Sequence, residues 1–325
     1  MKPLPEQPLV SIVMPVYGAE QFLKEAVDSV LNQSYTNIEL LVADDASKDS
    51  SRAMLDGWDD PRIIRLHNEE NQGYLKTCNK LLLAAKGDLV TFHDADDGAP
   101  LNRLEKQVAE FLRDAELGMC STNYILTNID GSPKLERNWE IDYAGFKGIV
   151  KPEVLYCGAT IMVRKEVLED IGVYREFFNR LGAEDFDWLY RIIEKYKAIH
   201  LPEHLYYYRQ HPSPVKVMNT HIRKYFAHNL VHFLREERLR TGTDALMGGD
   251  STRFEKQVAE WEAPFHNDPT HILRIESQRA INNGVYGPGF KLAFQALGKR
   301  PLNSSNYVHL LRMLYAASRK IVMKE

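Results

Sequence analysis

Short β-rich apolar runs alternate with helix-periodic segments through the first hundred residues, and this alternation restricts the fold more than any other feature of the chain. Residues 9–13 (LVSIV) are strand-like. After a turn at 15–18, Phe22, Leu23, Ala26, Val30 and Leu31 recur on one face of a helical segment, 20–32. The order then repeats, with runs at 38–43, 62–66 and 87–92 separated by helical patterns at 51–58 and 79–86. Such alternation predicts an α/β fold with a mostly parallel sheet flanked by helices, and ligands of such sheets bind outside the carboxyl ends of the strands.

Farther along, the pattern predicts a helix over 101–112, a strand over 118–126, a looser stretch to about 150, and a strand over 159–163. A helix from Lys165, another ending near Tyr196 and a strand over 205–208 follow. Past Pro214 the pattern is helical, with apolar stripes such as Tyr225, Phe226, Leu230, Phe233 and Leu234, and later Tyr307, Leu310, Leu311, Leu314 and Ile321. A boundary near 215 therefore divides the chain into an α/β domain, 1–215, and a helical C-terminal region, 216–325.

Composition narrows the classes. The 325 residues are 26% charged and 44% hydrophobic, with a net charge of −4, which suits a globular protein and disfavours a nucleic-acid partner. No run of about 18 apolar residues is present to span a membrane. Pro3, Pro5, Glu6 and Pro8 interrupt the N-terminus, which reads as a leader before a first strand and not as a secretion signal. Cys78, Cys120 and Cys157 are odd in number and far apart, which fits a reducing cytoplasm better than a disulfide framework or zinc site.

Acidic clusters fall at the strand ends. FHDADD closes the fourth run with Asp94, Asp96 and Asp97; like charges so close call for a divalent cation with hard oxygen ligands, and strand alternation sets Asp94 and Asp96 on one side. A solvated acidic turn capping the helix near Leu101 is the competing reading. Asp44 and Asp45 close the second run, where Ser47, Asp49 or Ser50 can cap the next helix. In GAEDFDW, Glu184, Asp185 and Asp187 are either first-turn acids favoured by a helix dipole or the source of a general base. Arg209 and His211 lie two apart in YYYRQHP, suited to phosphate and metal, although such a pair is commonly plain surface. Tyr17 suits either base stacking or packing.

Taken in order, VSIVMPVYG, IELLVADDASKDSS, NEENQGYLKTCN, VTFHDADDGAPLNRLEKQ, GAEDFDWLYRI and YYYRQHPSP resemble family two of the glycosyltransferases over about residues 9–215. The resemblance implies a GT-A nucleotide-sugar-binding fold, a Rossmann-like mixed sheet flanked by helices, with the C-terminal helical region appended. It implies a DXD motif at Asp94-Ala95-Asp96 holding Mn²⁺ or Mg²⁺ with His211 against the diphosphate of a UDP-sugar. Pro15, Val16, Tyr17 and Asp45 would bind the nucleotide, Ala95 and Asp97 would lie at the donor, and Arg209 would approach the phosphates. Asp185 would be the base that deprotonates the acceptor, beside Glu184 and Trp188.

Two departures accompany the match. Cys78 stands where many members have arginine, which leaves Lys76 to supply positive charge at the phosphates. His93 stands where many have an apolar residue or glutamine, and is either a donor-sugar contact or a packed side chain.

The expectation is an inverting transferase that adds hexosyl or N-acetylhexosaminyl units to a glycan or lipid-linked acceptor in bacterial surface polysaccharide synthesis. It would work in the cytoplasm or at the inner face of the cytoplasmic membrane. The amphipathic stretch 307–324, with Arg312, Arg319, Lys320 and Lys324 beside its apolar stripe, lies on an anionic membrane or packs on its own domain or a second copy. The alternatives are a noncatalytic glycan-binding protein on a transferase fold and a nucleotidyltransferase. MPVYGAEQF lacks the glycine-rich basic loop expected of the latter.

Overall fold

A computed structural model describes residues 1–146, 156–211 and 221–322, the side chains of Phe146 and of 317–322 excepted. The expected boundary at 215, and the charges of Arg319, Lys320 and Lys324, lie outside these described groups.

The N-terminal half builds β1 (Val10–Val16), α1 (Leu23–Leu31), β2 (Ile38–Asp44), α2 (Ser51–Asp56), β3 (Ile63–His67), α3 (Tyr74–Ala84) and β4 (Leu89–Phe92). β1 pairs in parallel with β2 and β4, and β2 with β3. Every residue of β2 and β4 is buried, which is why these strands read as unbroken apolar runs. The chain passes to either side of β1, and the carboxyl ends of the central strands flank the crevice this creates.

The next stretch adds α4 (Arg103–Arg113), β5 (Leu117–Thr127), β6 (Pro133–Arg137), β7 (Met162–Arg164), α5 (Lys165–Ile171), α6 (Glu184–Lys195) and β8 (Lys197–Arg209). The sheet has eight strands in the order β3-β2-β1-β4-β7-β5-β6, with β8 beside β5. β7 runs antiparallel to β4 and β5, and β6 antiparallel to β5, while β8 pairs in parallel with β5, so the sheet is mixed with four of its seven strand pairings parallel. Leu104, Val108 and Phe111, at helical spacing on α4, are buried in the core that also takes Val27 and Val30 of α1.

The described residues fall into two compact units. The first holds the sheet and returns for α7 (Ala227–Thr241) and the chain to Asp244. Ion pairs fix α7 in that unit: Arg238 reaches Glu194 of α6 at 2.8 Å and Asp244 at 2.5 Å. The second is helical, with α8 (Thr252–Asn267), α9 (His271–Asn282), α10 (Tyr286–Lys299) and α11 (Ser304–Val322). Leu273 of α9 packs with Leu292 and Ala296 of α10. Among the described residues no helix is long and apolar enough to cross a membrane. The three cysteines are buried and unpaired.

Candidate active site

The carboxyl ends of β1, β2 and β4 open into one cleft of about 860 Å³. Pro15, Val16 and Tyr17 line one side, and Tyr17 is 56% exposed, offering its ring to a planar ligand. The loop Asp94, Ala95, Asp96 and Asp97 after β4 lines another, joined by His211 beyond β8.

That loop is held from behind. The N–H of Asp94 donates to the Tyr206 hydroxyl at 3.0 Å, the Tyr74 hydroxyl donates to Asp94 Oδ1 at 3.1 Å, and the Arg209 N–H donates to Asp97 Oδ1 at 2.7 Å. Under β4, buried Arg103 donates to Thr91 Oγ1 and to the carbonyls of Phe92 and Ala159 at 2.8–3.0 Å. His93, expected as a sugar contact or a packed residue, is packed: it is 1% exposed, bonded to Ser29 Oγ at 3.1 Å and beside Arg103. Burial and the Arg103 charge push it down to about 3, so it is a neutral imidazole.

The acidic loop has no such neutralisation. Burial and the Asp96 charge push the Asp94 carboxyl up to about 6, and burial with both neighbours pushes Asp97 up to about 8. Asp97 Oδ2 is buried without a partner, while Asp96 Oδ2 lies 2.7 Å from His211 Nε2. Crowded carboxylates with an imidazole beside an open cleft fit Mg²⁺ or Mn²⁺, which accept one or two protein carboxylates and fill the remaining positions from phosphate oxygens and water. Among the described residues no group of three or more His, Cys, Asp or Glu side chains is placed to hold a metal ion, so Asp94, Asp96 and His211 would hold one only together with phosphate and water oxygens.

Asp45 organises the neighbouring wall. Its Oδ1 accepts from Asn68 Nδ2 and the Gln72 N–H, both at 2.8 Å, and Oδ2 accepts the Gly73 N–H at 2.9 Å. Gly73 has φ of +91°, a conformation glycine adopts without a Cβ penalty, and this turns its N–H onto the carboxylate. One lone-pair position of Oδ2 remains for a ligand.

The cationic residues are distributed differently from expectation. Lys76 sits on α3, 3.5 Å from Glu176, and is not part of the cleft wall. Arg180 is; its Nη2 donates to the Asn71 carbonyl at 2.8 Å and Asn71 Oδ1 at 2.9 Å. Sequence patterning offered only a basic residue just before the second acidic cluster. Arg209 lines the cleft but is largely committed inward, donating from Nε to the Asp96 carbonyl at 2.7 Å and from Nη1 to the Ile129 carbonyl at 2.8 Å, and pairing with Glu25 at 2.8 Å. It braces the acidic loop, and an approach to phosphates would compete with those bonds.

The acids of GAEDFDW separate into three environments at the start of α6. Glu184 lines the cleft, and burial together with the Asp185 charge pushes it up to about 7. Asp185 Oδ1 accepts the Phe186 N–H at 2.9 Å, and burial raises its carboxyl above the usual range. Its Oδ2 faces Gly158, where an added Cβ would come within 3.0 Å. Asp187 is wholly buried, paired with Arg175 and, at 3.1 Å, with Arg191.

Trp188, expected at the acceptor, belongs to the core. It is fully buried, edge-on to Phe92 and Tyr174, and its Nε1 donates to the Gly172 carbonyl at 2.8 Å. A sugar therefore has no face of it to stack on. The signal was in the sequence: Trp188 and Ile192 are four apart on the apolar face of α6.

This mixed sheet with its cleft at the strand ends is the GT-A fold. The chain superposes on Staphylococcus aureus TarS 1–349 in complex with UDP at a TM-score of 0.55 and 18% identity, covering 97% of this chain and 92% of that one. It superposes on the mannosyltransferase PcManGT of Pyrobaculum calidifontis, in complex with GDP-Man and Mn²⁺, at 0.52 and 19%, covering 100% and 90%. The model of glycosyl transferase family 2 matches residues 11–172, and the chain belongs to that family. The putative glycosyltransferase EpsE of Bacillus subtilis is 30% identical over 216 residues, 64% of this chain and 76% of that protein. The putative teichuronic acid biosynthesis glycosyltransferase TuaG of the same organism is 33% identical over 49% of this chain and 64% of its own length. The Escherichia coli UDP-Glc:alpha-D-GlcNAc-diphosphoundecaprenol beta-1,3-glucosyltransferase WfgD is 39% identical over 37% of this chain and 47% of its own length. The match thus spans less than two thirds of TuaG and of WfgD.

Proposed function

We propose that the chain is a metal-dependent, inverting glycosyltransferase that moves a hexosyl or N-acetylhexosaminyl unit from a UDP-sugar to a hydroxyl of a glycan or lipid-linked acceptor in bacterial surface polysaccharide synthesis. The observation that carries this reading is the crowding of Asp94, Asp96 and Asp97, none of them ion-paired with a lysine or arginine among the described residues, in a cleft that also presents the open Tyr17 ring. The names of TuaG and WfgD and the UDP bound to TarS support the substrate class.

In this proposal Tyr17 stacks on uracil, while Pro15 and Val16 shape the pocket and Asp45 uses its open lone pair on the base or ribose. Asp94, Asp96 and His211 hold Mn²⁺ or Mg²⁺ near Ala95 and Asp97. Once bound, the ion offsets the charge that develops on the leaving diphosphate. Arg180 adds positive charge from the opposite wall. Asp185 takes the acceptor hydroxyl proton as that oxygen bonds to the anomeric carbon and the sugar–phosphate bond breaks on the far side, which inverts configuration. Burial makes its carboxylate a stronger base, as this role needs. Glu184 orients the acceptor from the cleft wall. Residues 1–215, joined by α7, form the catalytic domain, and the remaining helical region serves acceptor, membrane or oligomer contacts at the inner face of the cytoplasmic membrane.

The test is nucleotide release from individual UDP-, GDP- and dTDP-sugars with Mn²⁺, with and without EDTA, in the native chain and in Asp96→Ala. Release from a UDP-sugar that requires both metal and Asp96 is expected. Release that is indifferent to EDTA and to Asp96→Ala would refute metal dependence, and release from only GDP- or dTDP-sugars would refute the donor assignment.

A further inference from the structure

The helical second unit contains a cavity of about 570 Å³ between α9 and the start of α11. Its walls include Arg274, Arg279 and Arg312, together with His271 and His309, and among the described residues no carboxylate lines it. The side chains of Ser304 and Ser305, in the first turn of the nineteen-residue α11, complete it on one side. Asn303 already accepts the Ser305 and Asn306 N–H groups at 3.0 Å, so this end offers an anion chiefly the helix dipole and the serine hydroxyls.

The floor supplies a separate observation. His309 is 9% exposed, the one buried residue of the lining, and its Nε2 has no hydrogen-bond partner. Leaving a buried polar nitrogen unpaired is unfavourable, a penalty that a ligand oxygen would relieve. Burial, with the nearby Arg274 and Arg312 charges, pushes His309 down to about 4, so its imidazole is neutral and the positive charge left unpaired here among the described residues is that of Arg312.

The arginines are not equally free. Arg274 pairs with Asp268 at 2.8 Å and is held by Asn306 Oδ1 at 2.7 Å, which fixes α9 against α11. Arg279 pairs with the partly buried Glu276 at 3.1 Å and lies over the Tyr225 ring at 5.1 Å, so it is partly committed. Arg312 is exposed and has no ion pair among the described residues. Arg274 shapes the cavity and Arg312 is the arginine open to a ligand, with Arg279 beside it, and a guanidinium matches phosphate geometry in pairs of hydrogen bonds.

We propose that this cavity is an anion site that takes a phosphate or diphosphate group, separate from the cleft at the sheet and independent of whether the chain transfers sugar. The source of the group is a phospholipid headgroup or a phosphate ester free in solution, and both present the same oxygens to Arg312 and His309, with Arg279 and the serine hydroxyls of α11 beside them.

The experiment titrates inorganic pyrophosphate into the full chain by calorimetry in EDTA, comparing the native protein with Arg312→Glu, His309→Leu and Arg180→Ala. Saturable binding is expected, weakened about tenfold or more by Arg312→Glu, which lies on the surface and leaves folding intact. His309→Leu should also weaken it, and Arg180→Ala, in the other cleft, should leave it unchanged. Flotation with phosphatidylglycerol and with phosphatidylcholine vesicles identifies the source. Retention on the anionic vesicles alone, released by pyrophosphate and lost in Arg312→Glu, assigns a headgroup; pyrophosphate binding without retention assigns a soluble ester. No binding by about 10 mM pyrophosphate, or binding that ignores Arg312→Glu and disappears in Arg180→Ala, would overturn the site.

Discussion

The loop at Asp94–Asp97 and the cluster around Asp187 are equally acidic along the chain and opposite in the fold. At Asp187 the protein supplies its own cations: Arg175 and Arg191 pair with it, and Arg175 and Arg238 pair with Asp244. At the loop, Arg103 and Arg209 are close, but their guanidinium groups go to carbonyls, a hydroxyl and Glu25, and among the described residues neither lysine nor arginine pairs with Asp94 or Asp96. Carboxylates that hold a fold together are matched by internal arginines, whereas those at the cleft are left with their charge unspent. The difference lies in partners that sequence proximity does not show.

The largest effects should separate the two regions by what they damage. Asp185→Asn should lower transfer about 10³-fold or more, because the base proposed to accept the acceptor's proton is removed; steady-state rates on the donor found in the screen would check it. Asp187→Ala should leave Arg191 buried without its counter-charge, and Arg175 with Asp244 alone, and cost about 3–5 kcal/mol, read by urea unfolding. Asp96→Ala should do the reverse: lost activity with an unfolding midpoint unchanged or raised, since a like charge beside Asp94 is gone. An Asp96→Ala protein as destabilised as Asp187→Ala would break the comparison.

Glu184 gives a smaller effect with a defined sign. Its folded carboxyl is raised to about 7 from an unfolded value near 4.5, so the native state binds the extra proton between those values and loses stability as pH rises through them. Glu184→Gln should therefore be more stable than the native chain at pH 8, by about 1–2 kcal/mol after allowance for its partial exposure, and equal to it below about pH 4. Urea titrations at the two pH values decide this. The smallest effect belongs to Lys76→Ala, which removes an exposed pair with Glu176; about 0.5 kcal/mol or less, with donor binding unchanged, is expected.

The parts of the fold legible in the sequence were those with local signals. β1, β2 and β4 announce themselves as buried apolar runs, and the acids after β2 and β4 do gather at the strand ends. β6 was hidden because Pro133–Arg137 is a mostly exposed edge strand with no apolar alternation. The direction of β7 depends on pairings with β4 and β5 that three residues cannot encode. Likewise α7 reads as part of a C-terminal helical region until Arg238 is seen to reach Glu194, 44 residues away. At the cleft, Tyr17 and His211 were legible from motif position, while Arg180 depends on a loop conformation with φ of +63° that no spacing rule reports.

The central claim is that the unspent charge of the β4 loop is there to hold a metal against a nucleotide diphosphate. Calorimetric titration of UDP into the full chain, with Mn²⁺ and with EDTA, for the native protein and Asp96→Ala, tests it most directly. Binding that appears only with Mn²⁺ and is lost in Asp96→Ala is the expected result. Binding of equal strength in EDTA and in Asp96→Ala, or no binding under any of these conditions, would contradict it.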